Sequence, residues 1–408
     1  MDYASFFMRM WNESNDDFPA ELKIFDPEEK RVREKRFDVF LSKLDTLKKA
    51  QSIPEKQNSK EKFLSYLSCF FRDILGYPSN LIQVIFSGEM VRSTGVFIRE
   101  AKQFDPGLGF KDIFQACRNV WIMNGLQYLM NKPVSLTPSV FAYSMLYPYT
   151  DNYLDDPDIA VSAKWDFSSR FEKRLRGERI EASNERENTI FRLVGLIENS
   201  WKRELWPGVY KSLLDIHDAQ TQSTCLLSNP GLLEFEDSLL ICIRKGGTSV
   251  VADGYLISGN LTNEEEAFLF YYGAFLQLLD DLQDTGEDLS DSLLTGFANA
   301  ALSEKLDRYL NKTYHLGKKL TECLSTLQSS WKKEFKALLE KSTDLFLVET
   351  LISNNALFST EFSEKFEAFS PLGFSFIQQK QHALSGLPDQ LFEQLFRQVL
   401  AGENEFSE

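Results

Sequence analysis

Apolar residues along this chain recur at three- and four-residue intervals, and no stretch of any length alternates apolar and polar residues like a strand. That period marks amphipathic helices. It predicts helices over 61–76 (closed by Gly76 and Pro78), over 79–103 and over 111–130. FDPGLGF at 104–110 reads as a loop and IPEKQNSK at 53–60 as a linker. An apolar helix begins near 138 and contains Pro148, which predicts a kink. Further helices are expected at 185–202, 208–227, 235–257 and 263–285. The tail from 295 supplies three or four more, including 300–325 and 328–351. Residues 1–52 are mixed and charged, with a basic amphipathic stretch at 29–50. No dinucleotide or P-loop glycine pattern and no 20–50-residue repeat is present. The expectation is an all-α protein with roughly ten or more helices around one core. It divides into an N-terminal extension (1–60), a helical core (61–300) and C-terminal helices packed on that core (301–408).

Two of the apolar segments end in aspartates. The first, YSMLYPYTDNYLDDPD, carries Asp151, Asp155 and Asp156; the second, AFLFYYGAFLQLLDDLQDTGEDL, carries Asp280, Asp281, Asp284 and Asp288. Residues four apart share a helix face, so Asp151 pairs with Asp155, and Asp280, Asp284 and Asp288 form a stripe. Carboxylates at the end of a buried helix border low-dielectric surroundings and require compensating cations. Two facing rows of oxygen ligands suit Mg²⁺, which takes carboxylates together with substrate phosphates. A run of aspartates is by itself usually a solvated face; the paired i,i+4 spacing on apolar helices favours a metal site.

Composition narrows the partners. The 408 residues carry a net charge of −15, which argues against nucleic-acid binding and means an anionic substrate must be drawn in by local cations. Candidate cations are Arg92, Arg99, Arg170, Lys173, Arg174, Arg244 and Lys245, with Arg170, Lys173 and Arg174 spaced for one face. Five cysteines without a CxxC pair suggest reduced thiols, hence a cytoplasmic location. His217, His315 and His382 lack metal-ligand spacing and a matching nucleophile, so a catalytic triad is not expected. MDYASFFMRMWNESNDD does not read as a signal peptide, and the longest apolar run, 267–279, is too short to span a membrane.

Other features admit two readings. Gly246 and Gly247 lie inside an apolar helical pattern and mark either a helix break or close packing. The DIHDAQTQS stretch around His217 either lines a pocket or is a surface face. The aromatic stretches, Phe141, Tyr143, Tyr147 and Tyr149, then Phe268, Phe270, Tyr271, Tyr272 and Phe275, are core or, in part, a pocket whose ring faces stabilise cations.

The acidic segments resemble the class I isoprenoid synthases. LLDDLQDTGED (Leu278 to Asp288) and AYSMLYPYTDNYLD (Ala142 to Asp155) are similar to the paired motifs of tetraprenyl-β-curcumene-synthase-like (class IB) bacterial terpene synthases. LYPYTDNYLDD (Leu146 to Asp156) and QLLDDLQDTGED (Gln277 to Asp288) are similar, less closely, to those of squalene/phytoene synthases. The arginines of both squalene-type motifs are missing, there is no NSE/DTE triad, and ICIRKGG (Ile241 to Gly247) matches a phytoene-synthase segment only loosely. The resemblance covers about residues 80–300. It implies an all-α barrel with opposed acidic motifs and Mg²⁺ ligation (three ions) by Asp151, Asp155, Asp156, Asp280, Asp281, Asp284 and Asp288. With a prenyl diphosphate as the implied substrate, the cations placed for its phosphates are Arg92, Arg170, Arg174, Arg244 and Lys245, beside the pocket candidates Tyr147, Gln277, Gly246 and Gly247. The expected activity is a terpene synthase's; alternatives are head-to-head prenyl transfer and a non-catalytic isoprenoid- or protein-binding role. A homodimer is compatible with all three.

Overall fold

The structure, a computed structural model, describes all residues except 1, 50–52, 157, 229–232, 381–382, 384–385 and 402–408. Among the described residues every regular element is helical, in accord with the three-to-four-residue apolar period. The chain forms two compact units. The boundaries expected near 60 and 300 fall inside these units.

The unit of residues 21–128, 132–136 and 364–408 contains α2 (Pro27–Lys49), α3 (Ile53–Phe70), α4 (Ser79–Ile85), α5 (Gly88–Phe104) and α6 (Phe110–Leu129). Its core joins Phe37, Phe40, Leu44, Phe63 and Ile74 to Leu372 and Leu387. The expected linker at 53–60 is the start of α3, where Pro54 sits in the first turn that proline tolerates. The single helix expected over 79–103 is two. The chain breaks at Phe86–Ser87, and Ser87 caps α5 by accepting the Met90 amide. Ser79–Phe104 has the length and mean hydropathy (1.3) for crossing a membrane, with 39% of its apolar window buried; buried core helices share that profile.

The unit of residues 1–20, 129–131 and 137–363 carries both acidic segments. It contains α1 (Tyr3–Asn12), α7 (Pro138–Asp155), α8 (Val161–Leu175), α9 (Glu185–Ser200), α10 (Pro207–Ser223), α11 (Cys225–Ser228), α12 (Phe235–Ser258) and α13 (Asn263–Gln283). After these come α14 (Thr285–Ser290), α15 (Gly296–Ala301), α16 (Asp307–Cys323), α17 (Lys332–Ser353) and the start of α18 (Thr360–Glu367). α12 is central and packs on α13, α10, α15, α1 and α7.

Gly246 and Gly247 do not break α12, which is helical from 235 to 258. They allow α13 to approach. A Cβ at Gly246 would stand 2.4 Å from the Gln277 Cβ and 2.5 Å from the Gly273 carbonyl oxygen, and one at Gly247 would stand 2.6 Å from the Phe270 ring. The obstacle at Gly246 is partly backbone, so relief requires the helices to part. Gly246→Ala is expected to cost about 1–3 kcal/mol, offset in part by alanine's better helix propensity. A thermal melt measures it; an unchanged midpoint would disprove the close approach.

Candidate functional site

α7 begins at Thr137, whose hydroxyl accepts the Val140 amide at 3.2 Å, with Pro138 in the first turn. Val140, Phe141, Ala142, Tyr143, Met145 and Leu146 are buried, so the helix is fixed before it reaches its acidic end. Pro148 lies within the continuous helix. Tyr147 and Asp151 follow on one face, both partly exposed. Asp151 Oδ1 accepts from the Thr150 hydroxyl at 2.9 Å. Asp156 ends the helix, and its Oδ1 accepts the Asp158 amide at 2.8 Å, a local turn. The side chain of Asp155 lies outside the described residues.

The second segment starts with a capping box, Thr262 with Glu265, and buries Phe268, Leu269, Phe270, Tyr271, Ala274, Phe275, Leu278 and Leu279. α13 ends at Gln283, earlier than the pattern predicts, and Asp284 joins it to α14. The i→i+4 bonding nevertheless continues: the Asp284 amide donates to the Asp280 carbonyl at 2.9 Å and the Asp288 amide to the Asp284 carbonyl at 2.8 Å. Burial differentiates the four carboxylates. Asp281 and Asp288 are buried, Asp280 is half-buried and Asp284 is exposed.

Asp281 Oδ1 accepts from Gln277 Nε2 at 2.8 Å. No N–H or O–H donor reaches its Oδ2, and the Cys242 thiol of α12 lies against the Asp281 carboxyl. Burial raises the Asp281 carboxyl to about 7, opposed by Gln277 and Cys242, with Asp280 adding to the rise and Lys245 of α12 opposing it. Asp288 Oδ2 accepts from the Thr295 hydroxyl at 2.7 Å. Burial, together with the charges of Asp281, Asp284 and Asp280, raises it to about 7. The four aspartates thus form one mutually repelling group with Lys245 as the cation near Asp281.

α12 connects the two acidic ends. Cys242, Lys245, Ser249 and Asp253 succeed one another along it at three- and four-residue steps. Its Cys242–Lys245 turn meets Asp281. One turn on, about 6 Å along the axis, the Ser249 hydroxyl lies 2.7 Å from the Tyr147 hydroxyl. Asp253 is fully buried. Burial raises the Tyr147 phenol above its ordinary range, followed by the charges of Asp253 and Asp151. Tyr143 and Tyr272 are likewise raised, chiefly by burial, with Asp253 contributing to both. Sequence reasoning missed Ser249 and Asp253. The available signal was a lone acid in the apolar run VVADGYL, in register with Lys245 and Ser249.

The arginines divide. Arg170 makes a two-pronged pair with Glu187 at 2.8 Å on both prongs and also donates to the Glu181 carbonyl. Arg174 pairs with Glu198 in the same manner, and Arg203 joins that glutamate at 2.7 Å. These bonds fasten α8 to α9, so both guanidiniums proposed for diphosphate are committed to glutamates. Lys173 and Arg244 are exposed. Arg92 is exposed on α5 in the other unit. Lys245 is the candidate cation placed against an acidic cluster.

His217 is buried, lies 3.0 Å from the Ser168 carbonyl through Nε2 and meets Phe171 edge-on; burial lowers its pKa. It holds α10 to α8. His382 lies outside the described residues.

The donor chemistry of Asp280, Asp281, Asp284 and Asp288 suits a hard divalent cation, and the Asp281 oxygen without an N–H or O–H donor is a ligand in waiting. Among the described residues, no three His, Cys, Asp or Glu converge as a complete coordinating group. Coordination therefore requires side chains such as the exposed Asp284 to turn inward. A surface hollow of about 280 Å³ is lined by Asp26, Glu28, Glu29, Val32, Arg33 and Arg36 in the other unit. A small one, about 10 Å³, is lined by Leu129, Met130, Glu265, Phe268, Leu269, Leu327 and Gln328. Neither involves the aspartates. Most of the aromatic residues pack as core, while Tyr147, Tyr149 and Tyr272 remain partly exposed. No protein-family model matches the chain, and no curated protein matches it.

Proposed function

We propose that this protein is a Mg²⁺-dependent enzyme acting on a linear prenyl diphosphate, with the fold and chemistry of a class I terpene synthase. One observation supports it above the others: the acidic cluster at the end of α13, two of its carboxyls buried, and the acidic end of α7 address successive turns of α12. Asp280, Asp281, Asp284 and Asp288 would hold metal on one side, and Asp151 with Asp155 on the other. When bound, the metal supplies Lewis-acid stabilisation of the departing diphosphate. Lys245 adds positive charge beside the α13 cluster. Tyr147 and Tyr272 present rings that favour a cation at roughly 0.5–2 kcal/mol each. Purified protein, incubated with C10 to C35 prenyl diphosphates and Mg²⁺, is expected to release diphosphate and yield a hydrocarbon or alcohol, both lost on chelation. No release at any chain length would reject this function.

A second reading is a non-catalytic helical protein whose aspartates bind a cation structurally. The burial of Phe268, Phe270, Tyr271 and Phe275 as core rather than as pocket lining favours it. Under this reading chelation lowers stability and no substrate is turned over.

A further inference from the structure

We propose that the hydroxyl pair of Tyr147 and Ser249, backed by Asp253, receives the proton that ends the reaction; this rests on the function proposed above. That chemistry needs an acceptor when an allylic cation becomes an alkene. The carbonyls at Gly246 and Gly247 are poor candidates, because α12 is unbroken there and the Gly246 oxygen abuts α13 at Gly273.

The Tyr147–Ser249 pair differs in each respect. The two oxygens are 2.7 Å apart, with either able to donate. Both residues are partly exposed, one turn along α7 and α12 from Asp151 and Lys245 respectively. The pair therefore lies about 6 Å, measured along each helix, from the charged residues assigned to the diphosphate end. Tyr143 braces it, packing edge-on to Tyr147 with ring centres 5.9 Å apart and reaching the Ser249 carbonyl at 3.5 Å. Asp253 lies four residues beyond Ser249 and is fully buried, with its charge felt by Tyr143, Tyr147 and Tyr272. A carboxylate behind the hydroxyls favours positive charge on them without standing as a nucleophile before the cation.

In the step, the C–H bond next to the cationic carbon breaks and its electron pair becomes the alkene π bond. The proton passes to Tyr147 Oη and is shared with Ser249 Oγ. The proton then moves to an oxygen of the released diphosphate, the final acceptor.

The experiment measures, with prenyl diphosphate and Mg²⁺, the composition of products per diphosphate released. The proteins are the wild type, Tyr147→Phe, Ser249→Ala and Ser249→Thr, each checked for native helicity by circular dichroism. In Tyr147→Phe and Ser249→Ala the share of the main alkene is expected to fall at least about tenfold, replaced by products of proton loss elsewhere or of water capture. Ser249→Thr, which restores a hydroxyl, is expected to recover the original pattern. An unchanged product pattern in folded Tyr147→Phe and Ser249→Ala overturns the inference alone. A wild type that releases no diphosphate overturns the underlying function, and the inference with it.

Discussion

Asparagine at Asp284, and separately at Asp151, is expected to lower diphosphate release by at least about a hundredfold, the loss typical when a group that stabilises developing transition-state charge is removed. The two positions lie on different helices, so equal losses from both would tie the two acidic ends to one reaction. Folding should survive. Asp284 is exposed at the α13–α14 junction and contributes to the helix run through its backbone, which asparagine retains. Asp151 has a neighbouring hydroxyl from Thr150 that can equally bond an amide oxygen. Steady-state release assays at saturating Mg²⁺, paired with thermal melts, separate lost chemistry from lost fold. Wild-type turnover in both variants would remove the aspartates from the site.

Asp281→Asn should make the protein more stable at pH 8.5 and leave it little changed near pH 4. The Asp281 carboxyl stands at about 7 in the fold, raised from an ordinary 3.8. A group whose pKa is raised by folding favours the folded state while protonated, so its contribution is intact below 3.8 and disappears as pH climbs through 7. At roughly 1.4 kcal/mol per pH unit across that window, ionised Asp281 costs on the order of 4 kcal/mol. Asparagine keeps an oxygen for Gln277 and cannot ionise. Asp288, also at about 7, adds the same sign of dependence; because the Asp281 charge helps to raise it, Asp281→Asn eases the Asp288 contribution too, and the difference between the proteins reports the coupled pair. Mg²⁺ should narrow the gap at pH 8.5 without closing it. A cation at one hundred times its Kd stabilises by about 2.7 kcal/mol, and that gain requires the ionised carboxylate. Chemical denaturation with and without Mg²⁺ at both pH values would show it. Parallel pH profiles for the two proteins, together with a Mg²⁺ response that the variant shares, would mean that Asp281 neither titrates in this window nor meets metal.

The helical class was readable because the apolar period is a local property. The starts of α7 and α13 were equally readable, since Thr137 with Pro138 and Thr262 with Glu265 are local capping signals. The aspartate positions were visible for the same reason. Boundaries that depend on neighbours were not. The division into two units reflects packing that a linear pattern does not encode, whereas the break at Ser87 and the start of α3 carry local signals, a serine cap and a proline in the first turn. The Gly246–Gly247 alternative needed the partner helix, because only the positions of Gly273, Gln277 and Phe270 distinguish a break from a close crossing.

Charge assignment was the part least accessible to pattern. Arg170, Lys173 and Arg174 have ideal spacing for an anion, yet two of the three are spent on Glu187 and Glu198, residues distant in sequence. Conversely Ser249 and Asp253 looked ordinary until α7 and α13 placed three tyrosines around them. The sequence by itself determined the all-helical class and the acid-tipped apolar helices, because side-chain periodicity and capping act within a few residues. Tertiary structure alone decided which carboxylates are buried, which cations are committed elsewhere and which hydroxyls meet. Burial and pairing arise between segments far apart in the chain, and it is they that set the energy of a charge.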